Sequence, residues 1–135
     1  MVFGLDSLGF GSKRRWALQL LDRSLSELEV NPGYLDDGMK YIIYDWALEE
    51  ERRSSGADGA LDSTIRNAAA LISFCILGKE ETGELWGAAI SAARSARFEA
   101  VLQRGEDETL DARLIKLVLA KGLAAPDIRA QVELD

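Results

Sequence analysis

The sequence contains no histidine and only one cysteine, Cys75. Without imidazole the chain has no Ser-His or Cys-His couple and no histidine-ligated metal site. A single cysteine also excludes an intramolecular disulfide, which favours a reducing compartment, and we expect the cytoplasm. These shortages remove most classes of hydrolase and metalloenzyme. We therefore expect no catalytic residue, no metal and no cofactor.

Long apolar runs and an excess of basic residues are also missing. The longest apolar stretch, residues 68–77, is far shorter than the roughly 18–20 residues that span a bilayer. Lys and Arg number 16 against 23 Asp and Glu, and the resulting net charge of -7 repels nucleic-acid phosphates. The sequence therefore predicts that the protein binds neither membranes nor nucleic acids.

What remains is a chain of 135 residues in which apolar side chains recur at helical spacing. The length is that of one ordinary domain. We expect an all-α, single-domain, bundle-like fold of five main helices plus a short C-terminal helix. Residues 1–12 are apolar but interrupted by glycines, so they are predicted to form an N-terminal arm, and residues 13–135 to form the helical domain.

Apolar periodicity and helix-ending residues give the helix boundaries. Helices are predicted over about 13–29, 34–53, 63–77, 80–103, 109–121 and 126–134. Asn31 and Asp62 are predicted N-caps, and Gly78, Gly105 and Gly122 are predicted to end helices. The residues expected to face inward in the first two helices are Leu18, Leu21, Leu25, Leu28, Leu35, Met39, Ile42, Ile43 and Trp46.

The third predicted helix is apolar on almost every side. Its polar face contains only Arg66, Ala70, Ser73 and Leu77. Such a helix is expected at the centre of a fold, enclosed by its own domain or by a second subunit. Cys75 lies in it between Phe74 and Ile76, without a cation within three residues on either side. Because apolar burial raises the pKa of a thiol, Cys75 is predicted to be an inert core residue.

The pair Gly78-Lys79 resembles a fragment of a phosphate-binding loop. That motif requires a preceding strand, a glycine where Ser73 stands and a hydroxyl where Glu80 stands, and the sequence has none of these. Gly78 is instead predicted to be a left-handed helix terminator. The glutamates that follow it suit the first turn of the next helix, where the helix dipole favours negative charge.

The fourth predicted helix carries two faces. Gly83, Gly87, Ser91 and Ser95 recur at every fourth position, and Trp86 and Ile90 belong to a bulky stripe. A glycine inside a helix costs about 1 kcal/mol relative to alanine, so a close contact is expected to require these glycines. The predicted interface residues are Phe3, Phe10, Gly83, Gly87, Trp86 and Ile90.

The function favoured by these patterns is a non-enzymatic protein-protein interaction or regulatory protein that self-associates, with a homodimer as the expected form and another protein partner as the other possibility. The alternative is a small-ligand-binding or enzymatic helical protein, with Tyr34, Tyr41, Tyr44 or the acidic residues as polar groups of a pocket. Asp45 and Glu49 have the spacing to share a cation. We interpret this pair as a solvated helix face.

Residues 114–134, LIKLVLAKGLAAPDIRAQVEL, resemble the first two helices of helix-turn-helix modules of the LuxR type. In those modules an apolar helix ends at a small residue and Gly, and Leu leads into a second helix that contains Ile. Ala120, Gly122, Leu123 and Ile128 stand at these positions. The resemblance covers about 20 of 135 residues and implies a DNA-binding regulator whose recognition helix enters the major groove. The chain ends before such a helix, so a regulator completed by a partner is the further alternative.

Overall fold

A computed structural model of the protein describes residues 12–53 and 60–134. These ranges contain the α-helices Ser12–Glu27 (α1), Asp37–Arg53 (α2), Ala60–Trp86 (α3), Ala88–Arg104 (α4), Leu110–Ala120 (α5) and Pro126–Leu134 (α6). They contain no strand. The predicted all-α fold of five main helices plus a short C-terminal helix is confirmed.

The chain divides into two compact units, Met1–Ala69 and Ala70–Asp135, and the boundary falls within α3. The predicted single domain stays a prediction. Residues 1–11 of the predicted arm, with Phe3 and Phe10, lie outside the described residues, as do residues 54–59 of the loop between α2 and α3.

In the first unit, α1 packs against α2 through a buried apolar face. The buried residues of the two helices are Ala17, Leu20, Leu21, Ser24, Leu25, Met39, Ile43, Tyr44 and Ala47. The ion pairs Lys40–Asp22 (3.0 Å) and Lys13–Glu51 (4.0 Å) flank this face and show that the two helices run in opposite directions. Exposed ion pairs contribute little to stability, so burial of the apolar face holds the two helices together.

Leu21, Leu25, Leu35, Met39 and Ile43 are buried as predicted, but the edges of both faces differ from the prediction. Leu18 and Leu28 are only half-buried, whereas Ala17 and Leu20 are buried. Ile42 is 40% exposed, so its predicted inward orientation is wrong. Periodicity identifies the apolar side of a helix, but the neighbouring helix decides which edge of that side is covered.

Two capping residues in succession precede α2. The Oδ1 atom of Asn31 accepts the N–H of Gly33 at 2.8 Å and caps a short 3₁₀ turn, Pro32–Tyr34. The Oδ1 atom of Asp36 then accepts the N–H of Met39 at 2.8 Å. The predicted cap at Asn31 is therefore confirmed for the 3₁₀ turn, but α2 itself begins three residues later than predicted, at Asp37.

The prediction that Asp62 caps the third helix is wrong. Helix α3 begins at Ala60, which places Asp62 inside its first turn. There the carboxylate pairs with Arg66, one turn along the helix. An acid in the first turn also interacts favourably with the positive end of the helix dipole. Aspartate is therefore common both at the N-cap and in the first turn, and the sequence alone does not distinguish the two positions.

Helices α1 and α5 end in the same backbone motif. After α1, the N–H of Glu29 bonds to the carbonyl of Ser26 at 3.1 Å and that of Val30 to Leu25 at 2.9 Å. The bonds after α5 are Gly122 to Leu119 (3.0 Å) and Leu123 to Val118 (3.1 Å). This is the Schellman pattern, which requires a left-handed residue just past the helix. Gly122 meets that requirement as predicted, with φ of 72°, whereas Glu29 meets it with a side chain present, at φ of 64°.

Glu29→Gly is expected to raise the free energy of unfolding by about 1 kcal/mol, because glycine adopts the left-handed conformation without the Cβ penalty. Urea denaturation measures the change. Gly122→Ala is the reverse control, because it introduces a side chain at a left-handed position. It is expected to lower the free energy of unfolding by a similar amount, about 1 kcal/mol. A destabilised Glu29→Gly variant would show that the Glu29 side chain contributes contacts that outweigh the strain.

In the second unit, the end of α3 and helices α4 to α6 share an apolar core. Its most deeply buried members are Leu71, Ile72, Phe74, Cys75, Phe98, Leu114, Ile115, Val118 and Ile128. The Phe74 and Phe98 rings lie 5.8 Å apart at 58°, a favourable tilted arrangement. At the edge of this core, Arg97 of α4 donates two hydrogen bonds to Asp111 of α5, at 3.0 and 3.2 Å.

Residues 71–75 of α3 are buried in unbroken succession. This segment of the second unit is thus covered on all sides, whereas Ser63, Arg66 and Asn67 nearer the start of α3 are exposed. Ser73 is an exception to the predicted polar face, because it is fully buried.

Candidate functional site

Two glycines with an unusual backbone shape the end of α3. Gly78 interrupts α3 with φ 87° and ψ 173°, and Gly87 separates α3 from α4 with φ 99° and ψ 161°. This combination of positive φ and extended ψ is essentially restricted to glycine. Gly78 therefore breaks the helix where predicted, but the predicted left-handed helical conformation is wrong. The predicted unbroken helix 80–103 is also wrong, because Gly87 divides it.

Two residues around the start of α6, Ala125 and Asp127, form hydrogen bonds with the backbone on both sides of the corner at Gly78. The N–H of Ala125 donates to the carbonyl of Cys75 at 2.9 Å, which satisfies a carbonyl at the end of the first helical segment. The Oδ2 atom of Asp127 accepts the N–H of Lys79 at 2.9 Å, which satisfies a donor at the start of the next segment. A single short stretch of chain therefore caps both sides of this corner.

Small residues line the Gly87 corner. The Ser91 hydroxyl donates to the carbonyl of Lys79 at 2.8 Å, but a Cβ atom at Gly83 would lie 3.7 Å from the Cβ of Ser91, an ordinary van der Waals distance, and one at Gly87 would have no described atom within 4 Å. The prediction that a close contact requires these two glycines is therefore wrong within the described part of the chain. The role of Gly83 and Gly87 in an interface between chains stays a prediction.

Apolar side chains are exposed beside this corner. Leu85 is 43% exposed and Ile90 is 42% exposed. The Arg94 guanidinium carbon lies 4.7 Å from the centroid of the Trp86 ring, in a cation–π contact. Leu85, Trp86, Ile90 and Arg94 are called the corner surface below. Trp86 and Ile90 were among the predicted interface residues, whereas Leu85 and Arg94 were not.

Arg94 differs from the other basic residue of the pair Arg94 and Arg97. Arg97 is paired with Asp111, but the Nη1 atom of Arg94 is buried without a hydrogen-bond partner in the described part of the chain. Burial lowers the pKa of Arg94. The Trp86 ring face compensates part of the lost hydration of the guanidinium. In the sequence, the two arginines lie three residues apart on one predicted helix, and this spacing does not distinguish Arg94 from Arg97.

An acidic groove of about 420 Å³ lies next to the Gly78 corner. It is lined by Leu77, Glu80, Glu81, Glu84, Ala125, Pro126 and Asp127. Asp127 is occupied as a helix cap, since its two carboxylate oxygens accept the N–H groups of Lys79 and Ile128. Across residues 12–53 and 60–134, no group of three or more acidic or cysteine side chains is arranged to hold a metal ion.

A second hollow, of about 120 Å³, is apolar and lies between α4, α5 and α6. Its lining includes Val101, Leu102, Ile115, Leu119 and Val132. Neither this hollow nor the acidic groove contains the tyrosines that the ligand-binding alternative requires. The structure also gives those tyrosines different environments, since Tyr34 is 58% exposed and Tyr44 is buried.

The carboxylates considered for a shared cation, Asp45 and Glu49, lie on α2. Glu49 pairs with Arg53 at 2.8 Å, one helical turn away. A glutamate and an arginine four residues apart on a helix commonly form such a surface ion pair. The pair Asp45 and Glu49 is thus part of an exposed helix face with a basic neighbour.

Cys75 is 1% exposed in the core of the second unit. Burial raises the pKa of its thiol to about 12, and the smaller effects of Arg97 and Asp111 act in opposite directions. The thiol is therefore protonated at neutral pH and shielded from reagents. Phe74 beside it is also fully buried, whereas Ile76 is half-buried.

We expect native Cys75 to resist a bulky thiol reagent and to react with one equivalent of it once the protein is unfolded. A time course with 5,5′-dithiobis(2-nitrobenzoate), with and without denaturant, measures this. The raised pKa has a further consequence: the stability contributed by the neutral thiol is complete below pH 9 and is lost as the pH rises towards 12. Rapid, complete modification of the native protein would contradict the burial.

The residues that resemble a helix-turn-helix form a helix corner. Gly122 ends α5, Pro126 begins α6, and Ile128 is fully buried. Because Ala125 and Asp127 form hydrogen bonds with Cys75 and Lys79, on either side of Gly78, the start of α6 packs within the second unit.

The corner surface is the strongest candidate site, since it combines exposed aliphatic side chains with a stacked arginine. No helix in the described ranges has the length and apolar character needed to cross a membrane. Comparison of the chain with protein-family models, curated proteins and solved structures finds no match.

Proposed function

We propose that the protein is a non-enzymatic interaction protein that self-associates through the corner surface. The observation that carries the proposal is the exposure of Leu85 and Ile90, at 43% and 42%, beside the stacked Trp86 and Arg94. Covering such aliphatic groups is favourable by about 25 cal/mol for each Å² removed from water. Tryptophan and arginine are also the side chains most enriched among residues that dominate binding energy at interfaces.

The chemistry of the chain favours binding over catalysis. There is no histidine, and burial removes the cysteine thiol from contact with a substrate. The acidic groove has an aspartate that is already used as a helix cap. The apolar hollow of about 120 Å³ has room only for a small apolar group. Histidine, the commonest general base, is thus missing, and the one cysteine nucleophile is inaccessible.

A second copy of the same chain is the partner that requires the fewest additional assumptions. Most soluble oligomers are symmetric, and a two-fold interface brings the same surface of both copies together. The exposed aliphatic groups of one corner surface would then cover those of the other. The lone, buried cysteine fits this role in the cytoplasm, where thiols remain reduced.

Size-exclusion chromatography with multi-angle light scattering over a concentration series tests this function. The wild-type protein is expected to rise from the monomer mass to twice that mass. Leu85→Glu/Ile90→Glu is expected to stay monomeric with an unchanged far-ultraviolet circular dichroism spectrum, because it places four carboxylates in the two-fold contact. A wild-type protein that remains monomeric at high micromolar concentration would contradict the proposal.

Ile42→Glu is the matched control, because Ile42 is 40% exposed on α2, outside the corner surface. This variant is expected to dimerise like the wild type. If Ile42→Glu became monomeric while Leu85→Glu/Ile90→Glu still dimerised, the contact would lie elsewhere on the protein.

A further inference from the structure

We infer that Arg94 determines the specificity of this self-association by pairing with a carboxylate of Glu81 or Glu84 on the second copy. The inference rests on the proposed function and names the charged contact within it. It identifies the partner by its chemistry, namely a carboxylate next to an apolar surface.

The first part of the argument is the arginine itself. Its Nη1 atom is buried and lacks a hydrogen-bond partner among the described residues, and its guanidinium stacks on Trp86 at 4.7 Å. Three other arginines, Arg53, Arg66 and Arg97, each pair with a carboxylate. A partly buried cation is costly unless it is paired, and a carboxylate matches the planar fork of a guanidinium. The buried Nη1 atom is not accessible to a second chain, so a partner's carboxylate would meet the half-buried remainder of the Arg94 guanidinium, which forms no ion pair within the described ranges.

The second part concerns the acids that border the corner surface. Glu84 is adjacent to Leu85 in the chain, and Glu81 lies one helical turn before Leu85. Both side chains are exposed. Neither forms an ion pair within the described ranges, whereas the nearby Asp127 and Glu99 are engaged with Lys79. A chain of net charge -7 has carboxylates in excess, and these two lie where a partner arginine would meet them.

The third part is symmetry. In a two-fold interface, a contact between residue i of one copy and residue j of the other occurs twice. The arginine and its acid must therefore both lie on, or at the border of, the same surface patch. Glu81 and Glu84 line the acidic groove and directly precede Leu85 and Trp86 in the chain, so the inference places them at the border of the corner surface. The interface would contain two equivalent ion pairs around its apolar centre.

Charge reversal in separate preparations tests the inference. Arg94→Glu alone and Glu81→Arg/Glu84→Arg alone are each expected to dimerise about a hundredfold more weakly than the wild type, because each places like charges together twice. Mixing the two variants is expected to restore a dimer. In that mixed dimer, the glutamate introduced at position 94 of one copy meets the arginines introduced in the other, and native Arg94 of the second copy meets native Glu81 and Glu84 of the first. Sedimentation velocity measures all three samples.

Glu106→Arg/Glu108→Arg is the matched control, because it makes the same change of charge at two exposed acids elsewhere in the second unit. Mixed with Arg94→Glu, it is expected not to restore a dimer. Arg94→Gln, which removes the charge without reversing it, is expected to show an intermediate loss. Thermal melts followed by circular dichroism check that each variant is folded.

The outcomes separate the inference from the function on which it rests. A monomeric wild-type protein overturns the proposed function and the inference together. A wild-type dimer that Arg94→Glu leaves intact overturns only the inference. A dimer that Arg94→Glu disrupts and the mixture does not restore overturns the assignment of Glu81 and Glu84. Restoration in the mixture, without restoration by the control, supports the inference.

Discussion

Gly78→Ala is expected to lower the free energy of unfolding by about 3 kcal/mol or more. The alanine Cβ would lie 2.5 Å from the Oδ1 atom of Asp127 and 3.0 Å from the Cβ of Ala125. The alanine would also have to adopt the backbone conformation of Gly78, with φ of 87°, which residues that carry a side chain rarely adopt. Relieving the close contacts or the backbone strain would displace Ala125 and Asp127, which cap the corner. Urea denaturation followed by circular dichroism measures the loss.

Gly87→Ala separates the two contributions. Gly87 has the same kind of backbone, with φ of 99°, but no described atom lies within 4 Å of the position its Cβ would occupy. Only the backbone penalty applies there, so the expected loss is smaller, about 1–2 kcal/mol. Equal losses for the two variants would contradict the close packing of Asp127 and Ala125 around Gly78.

Phe98→Ala is expected to lower the free energy of unfolding by about 3–5 kcal/mol, the range found when a fully buried phenylalanine is truncated. The Phe98 side chain is completely buried and contacts the Phe74 ring. Truncation therefore removes apolar burial and an aromatic pair, and it leaves a cavity in the core of the second unit.

A double-mutant cycle with Phe74→Ala isolates the ring contact. The two truncations together are expected to cost less than the sum of the single losses, by about 1 kcal/mol, because the aromatic contact is lost only once. Ile90→Ala is the surface control and is expected to change monomer stability by about 0.5 kcal/mol or less. A loss below about 1 kcal/mol for Phe98→Ala would contradict a tightly packed core.

The parts of the fold that the sequence predicted well depend on local signals. Gly105 and Gly122 end their helices as expected, and Pro126 begins the last one. Each of these residues limits the backbone through its own covalent structure, so a short stretch of sequence is sufficient to identify it.

The errors occur where distant contacts decide the conformation. At Gly78, the helix is interrupted in a conformation that Asp127 stabilises, and this residue lies 48 positions from its hydrogen-bond donor Lys79. The break at Gly87 was missed because a glycine within an apolar helical pattern is compatible with an unbroken helix. The orientation of Ile42 depends on where α1 contacts α2, which periodicity does not specify.

The candidate site was predicted in part. Trp86 and Ile90 belong to the corner surface, and both were named from their spacing on a bulky stripe. Leu85 was missed because it lies off the bulky stripe that contains Trp86 and Ile90, and its exposure of 43% is visible only in the structure. Arg94 was missed because it and Arg97 are both basic residues on one helix, and only the position of Asp111 distinguishes them.

The central claim is that two copies of the chain meet at the corner surface, and a distance between spin labels at that surface tests it most directly. Ala89 is exposed on α4 beside Ile90, and buried Cys75 leaves an introduced cysteine as the accessible thiol. Ala89→Cys carrying a nitroxide is expected to give a resolved intermolecular distance in double electron-electron resonance, and Leu85→Glu/Ile90→Glu in the same chain is expected to abolish it. A featureless background decay from the labelled protein at high micromolar concentration would contradict the account.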